Sequence, residues 1–189
     1  MVKRHRLNPL ILGILWVFSL SFCNLAWARA GISFASGYGA AEIIPIRLGF
    51  QQEFNQQWRA ESDWPIGAYW EGSFYQMRGK RGSLPGSHNR LEAVALAGVF
   101  RFERAKESVL GWPYVELGIG LSWLSRKEIG GRDLGIHFQF EDRFGLGVRF
   151  GENREYDVGY KVIHFSNAYI GPSNHGINLH LLTIGYWFK

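Results

Sequence analysis

The chain is short of cysteine, of long apolar runs and of net charge, and each shortage excludes something. Its single cysteine is Cys23. A lipoprotein would want a small residue just before it, and Phe22 stands there instead. Lys3, Arg4 and Arg6 form a basic stretch, Leu10 to Phe22 an apolar run, and Ala28-Arg29-Ala30 a small-x-small cleavage signal. These are the parts of a secretory signal peptide. Residues 1–30 are therefore expected to leave, with residues 31–189 forming one domain that starts at Gly31 and contains no cysteine. Such an exported domain cannot be a disulfide scaffold. Past the leader no apolar run is long enough for a membrane helix.

The basic balance also belongs to the leader. The chain has 21 Lys+Arg and 16 Asp+Glu; Lys3, Arg4, Arg6 and Arg29 go with the leader and no acid does, leaving 17 against 16, a net +1. Nucleic-acid binding thus has little electrostatic support. There is no linker, repeat, low-complexity segment or phosphate-binding glycine loop. His175 and His180 are five apart across a loop–strand junction and lack an acid cluster, so neither a metal nor a cofactor is expected.

What the domain has is glycine, aromatics and alternation. Eight amphipathic strands are expected at Ile32–Ala41, Ile44–Phe54, Trp58–Tyr75, Arg90–Arg104, Pro113–Leu124, Gly135–Phe150, Glu155–Ser166 and Ile177–Phe188. Ile44, Ile46, Leu48 and Phe50 share one face of the second strand, and Arg47, Gln51 and Glu53 the other. The third is read with Trp58, Trp64, Ile66, Trp70 and Phe74 opposing Arg59, Glu61, Asp63 and Glu71. Short turns at 55–57, 105–111 and 151–154 mostly alternate with longer loops at 78–89, 125–133 and 167–176. That is the outer-membrane barrel pattern.

A soluble sandwich would show the same alternation with its apolar face inward. Two features favour the membrane. Trp and Tyr cluster near strand ends on the apolar face, as in an interfacial girdle. The polar face mixes acids and bases with many glycines, as suits a narrow, side-chain-filled interior. The chain ends in Tyr186-Trp187-Phe188 before Lys189, which resembles the aromatic assembly signal of outer-membrane barrels. The expected fold is all-β: an eight-stranded antiparallel transmembrane β-barrel with a packed interior, and so not a pore.

In the seventh strand Tyr156, Val158, Tyr160, Val162, His164 and Ser166 share the outward face. A general base and a hydroxyl nucleophile thus project side by side. The outward parity of the eighth strand reaches Asn178. The sixth strand carries one outward carboxylate, Asp142, and the turn at 151–154 sets it opposite Val162 or His164. A charge facing lipid costs up to about 2–4 kcal/mol at mid-depth and less near the rim, which a partner such as His164 would offset. Singly, these are ordinary rim residues; their conjunction on one lipid-facing patch points to an esterase acting on membrane lipid.

His164-Phe165-Ser166-Asn167-Ala168, followed by Asn174-His175-Gly176-Ile177, closely resembles the lipid A 3-O-deacylase (PagL-type) family of Gram-negative outer membranes. Residues 140–147, Phe-Glu-Asp-Arg-Phe-Gly-Leu-Gly, look like that family's sixth strand; Tyr69-Trp70-Glu71-Gly72 and residues 115–120 fit more loosely. The resemblance spans essentially the whole mature chain. It implies an outer-membrane enzyme that hydrolyses the 3-position acyl ester of lipid A without a metal. Ser166 would be the nucleophile, His164 the base and Asn167 an oxyanion-hole side chain. The family's third member is a glutamate, and Asn178 stands at that position here. An amide can fix the imidazole tautomer but cannot stabilise imidazolium by charge, and such a change can cost as much as ~10⁴ in turnover. Either Asn178 suffices, or Asp142 supplies the charge, or the enzyme is slow. The glycine that the family often has after Asn-Ala is Tyr169.

The expected partners are lipid A and the surrounding outer-membrane lipids, with no nucleic acid and with a homodimer left open. Two rival readings stand beside this one: a non-catalytic structural or adhesive barrel, and a phospholipase or acyltransferase using the same pair on another lipid.

Overall fold

A computed structural model describes residues 27–79 and 88–188. The leader through residue 26, with Cys23, residues 80–87 of the third loop and Lys189 lie outside the described residues. The strands are β1 (Trp27–Gly39), β2 (Ile44–Phe54), β3 (Ile66–Arg78), β4 (Arg90–Glu103), β5 (Trp112–Leu124), β6 (Glu128–Ile129), β7 (Arg132–Asp133), β8 (Phe138–Phe150), β9 (Tyr156–Ser166) and β10 (Ile177–Trp187). Eight of them close into a barrel in the order β1-β10-β9-β8-β5-β4-β3-β2, each antiparallel to its neighbours. The two-residue strands β6 and β7 pair within the β5–β8 loop.

Alternation alone left the orientation open, and burial resolves it. Ile46, Leu48, Phe50, Leu96 and Ile119 are exposed, Leu48 by 55% and Ile119 by 64%, whereas Arg47, Glu71, Glu116 and Glu141 are fully buried. Apolar side chains face out and charges face in, the reverse of a soluble sandwich. Such a wall fits hydrocarbon, and closing the sheet leaves no unpaired edge within it.

The interior is filled. Glu71 meets Arg47 and Arg143, and Arg143 also meets Glu141. Lower down, Glu116 forms an ion pair with Lys161 at 2.6 Å and accepts from Arg101 at 2.9 Å and Tyr69 at 2.8 Å. Toward the end with the longer loops, the inward residues turn apolar: Tyr75, Met77, Leu91, Leu124, Ile163, Phe165, Ile177 and Leu179 form one buried cluster. This cluster backs the wall that carries the site.

The third strand departs from expectation. It starts at Ile66, not Trp58. Trp58 and Ile66 exchange backbone hydrogen bonds of 2.8 Å each way, and Arg59 turns into the left-handed region with φ 54°. Residues 59–65 therefore form a closed loop. The apparent alternation of Trp58 and Trp64 with Arg59, Glu61 and Asp63 belongs to a rim loop, with Trp58 against Phe100 at 5.9 Å between ring centroids.

Candidate active site

β9 ends in four residues, Ile163 to Ser166, whose directions are fixed from behind. Ile163 and Phe165 are fully buried, and Phe165 meets Tyr75 edge-on at 5.2 Å between ring centroids. Tyr75 is itself held by Arg47 at 3.0 Å and donates to Glu141 at 2.8 Å. With Ile163 and Phe165 locked inward, the pleat turns His164 and Ser166 outward on one face, both half-buried.

The register places a row of three side chains across this face. His164 pairs with Asn178 of β10 on one side and with Asp142 of β8 on the other. Ser166 pairs with Phe140. His164 Nδ1 lies 2.5 Å from Asn178 Oδ1. An amide oxygen only accepts, so Nδ1 donates in this contact, and in the neutral ring Nε2 then keeps the lone pair. That is the tautomer a general base needs. Asp142 and Asn178 are exposed on the wall, and directly opposed residues of a ladder have Cα atoms about 4.5–5.5 Å apart. The Asp142 side chain makes no hydrogen bond or ion pair among the described residues. Ser166 and His164 share a face without a hydrogen bond between them in this conformation; such contacts often tighten only when substrate binds.

Gly176 leaves room for the imidazole. Its φ of +58° suits glycine, and a Cβ there would approach His164 Cε1 and the Phe165 carbonyl to 3.0 Å each.

Asn167 is fully buried rather than presented to the membrane. Its Nδ2 donates to the carbonyls of Leu134 at 2.8 Å and Ser173 at 2.6 Å. Its N–H donates to Asn174 Oδ1 at 2.9 Å, and its carbonyl accepts from Ile170 N–H at 3.0 Å. Both amide hydrogens are thus committed, and Asn167 braces the 167–176 loop against the β5–β8 loop. The following residues, Ala168 and Tyr169, both take left-handed conformations, with φ 50° and 61°. Consecutive non-glycine residues of this kind carry strain that concentrates at functional sites. Tyr169, where the family often has glycine, nevertheless adopts the conformation a glycine would.

Two contributors had little or no signal in the sequence. Asn174 looked like an ordinary loop residue within the quoted motif, yet its side chain holds the Asn167 N–H. Arg132, in a loop without periodicity, donates through Nε to the Gly176 carbonyl at 2.8 Å and also reaches the His175 carbonyl. His180, two residues beyond Asn178, bonds Tyr160 at 2.5 Å and stacks on Tyr38 at 5.0 Å.

A closed antiparallel barrel with an apolar outer wall and a charged interior is a membrane-spanning β-barrel, here with a polar row on its lipid face. A model of the lipid A 3-O-deacylase (PagL) family matches residues 44–187. The chain is 32% identical to a lipid A deacylase PagL of Pseudomonas aeruginosa over 166 residues, covering 87% of this chain and 90% of that protein. It is 36% identical to a Bordetella bronchiseptica lipid A deacylase PagL over 75 residues, 40% of this chain and 41% of that one. Its structure is similar to a crystal structure of the outer membrane enzyme PagL, with a TM-score of 0.74, 28% identity, and coverage of 82% of this chain and 98% of that one. The chain belongs to the lipid A 3-O-deacylase (PagL) family.

Proposed function

We propose that the protein removes the 3-position acyl chain of lipid A by serine ester hydrolysis on its outer wall. The observation that carries this reading is the 2.5 Å contact of His164 Nδ1 with Asn178, which frees Nε2 on the face shared with Ser166. The glucosamine headgroup would lie at the rim, with acyl chains along the apolar wall. His164 Nε2 takes the Ser166 proton as Oγ attacks the ester carbonyl. The tetrahedral oxyanion is met by backbone N–H groups of the left-handed turn at Ala168 and Tyr169, each such donor being worth ~2.7–4 kcal/mol. Asn167 serves by holding that turn in shape. His164 returns the proton to the departing sugar hydroxyl. Water, activated by the same imidazole, then releases Ser166 and a 3-hydroxy fatty acid.

In this reading Asn178 orients the imidazole and Asp142, facing it from the other strand, supplies the negative charge that an amide lacks. The expected result is that Asp142→Asn lowers turnover about 10-fold or more, since one unit of charge interaction near a surface amounts to several kcal/mol before solvent screening. Asn178→Glu should raise turnover and make the Asp142→Asn loss smaller. If only Asn178→Ala reduces turnover and Asp142→Asn does not, Asp142 has no electrostatic part.

Substrate choice is tested by giving the refolded protein lipid A and, separately, diacyl phospholipid in the same detergent. Release of a 3-hydroxyacyl chain from lipid A with the phospholipid left intact is expected. Faster cleavage of phospholipid would move the function to a phospholipase on the same dyad.

A further inference from the structure

The barrel closes where the first strand meets the last, and Arg29 lies on that seam. Its guanidinium donates to three main-chain carbonyls: Asn153 at 2.8 Å, Trp187 at 3.1 Å and Phe188 at 3.2 Å. The Asn153 carbonyl lies in the β8–β9 turn, and the other two end β10. The Arg29 carbonyl accepts from Gln52 Nε2 at 3.4 Å, and the Ala30 carbonyl accepts from Phe188 N–H at 2.8 Å. All of these contacts fall within the stretch that the Ala28-Arg29-Ala30 signal assigns to the leader.

We propose that the leader is cut at the Ala28–Arg29 bond, so that Arg29 becomes the first residue of the exported protein and latches the barrel seam. Two small-x-small signals overlap here, Ala26-Trp27-Ala28 and Ala28-Arg29-Ala30, offset by two residues. Both present small side chains where a signal peptidase reads them, and the barrel distinguishes them. A cut after Ala30 would remove Arg29 with its three carbonyl contacts, along with the Ala30 carbonyl that holds Phe188. It would also create an α-ammonium at Gly31, whose ladder partners Gln51 and Trp187 are almost fully buried. A charge set among buried neighbours costs free energy unless it is paired.

The earlier cut avoids both costs. It leaves the new ammonium on Arg29, at the end of the strand. It also matches the ladder, because the pairing of β1 with β2 is irregular between Trp27 and Ala30 and regular from Ala30 onward. In the reaction a signal peptidase adds water across the Ala28–Arg29 amide. The leader departs with a carboxylate on Ala28, and the barrel keeps the nitrogen as the Arg29 ammonium.

The test is the intact mass of the protein extracted from outer membranes, followed by unfolding of refolded forms. The expected mass is that of a chain beginning at Arg29; a chain beginning at Gly31 overturns the proposal. Refolded protein starting at Arg29 is expected to unfold at higher urea concentration than protein starting at Gly31, with Arg29→Ala shifted toward the latter. Equal midpoints for the three forms would overturn the latch.

Discussion

Replacing His164 with alanine is expected to leave a folded barrel that has lost nearly all turnover on lipid A. Removing the base of a full serine triad costs about 10⁶ in kcat. With an amide in the third position part of that rate is already missing, so the expected loss is about 10³-fold or more. The fold should tolerate the change because His164 faces outward and, among the described residues, its ring's hydrogen bond goes to the exposed Asn178. The buried Ile163 and Phe165 that fix the strand are untouched. The measurement is the rate of 3-hydroxy fatty acid release, with the heat-dependent gel mobility of the barrel as the control for folding. Turnover within a few-fold of the parent would mean that the proton moves by another route.

The second large effect is on stability. Glu116 is fully buried, pairs with Lys161 at 2.6 Å, and accepts from Arg101 at 2.9 Å and Tyr69 at 2.8 Å. Glu116→Ala leaves an ammonium and a guanidinium inside a wall that excludes water. Asp157, 3.2 Å from Arg101, keeps a partner for Arg101, so the charge left unmatched is that of Lys161. Breaking one partner out of a buried pair costs about 3–5 kcal/mol. The expected result is a clearly lower urea midpoint in detergent, or failure to refold. Adding Lys161→Met to Glu116→Ala should recover part of the loss, because the orphaned charge and its stem are replaced by an apolar side chain of similar length. A double variant no more stable than Glu116→Ala would place the cost in packing instead.

Much of this was legible because a barrel strand has a period of two. Six of the eight strands lie within three residues of where alternation put them, the first starts five residues earlier, at Trp27 rather than Ile32, and the parity that joins His164, Ser166 and Asn178 was readable from side-chain direction alone. The short turn at 151–154 narrowed the partner of Asp142 to two residues, and the ladder selects His164. The direction of the wall was not readable from alternation, because sandwich and barrel share that pattern; the aromatic girdle and the mixed polar face pointed to the barrel, and the burial of Arg47, Glu71 and Glu116 bears it out. Residues 58–64 misled because rim tryptophans alternating with loop charges imitate a strand.

The loops hid the rest. The resemblance made Asn167 an oxyanion-hole side chain, yet its amide is bonded to Leu134, far away in the chain, through a loop that has no period to read. The part played by Arg132 was hidden for the same reason, and the β6–β7 pairing is too short to leave a pattern. Arg29 was hidden differently. Its contacts reach the far end of the chain, so nothing local distinguished it from the leader around it.

The central claim is tested most directly by mass spectrometry of purified lipid A after incubation with the refolded protein, beside its Ser166→Ala variant. Loss of one 3-hydroxyacyl chain with the parent and none with the variant is the predicted result. Unchanged lipid A with a properly folded parent, or equal loss with Ser166→Ala, would contradict it.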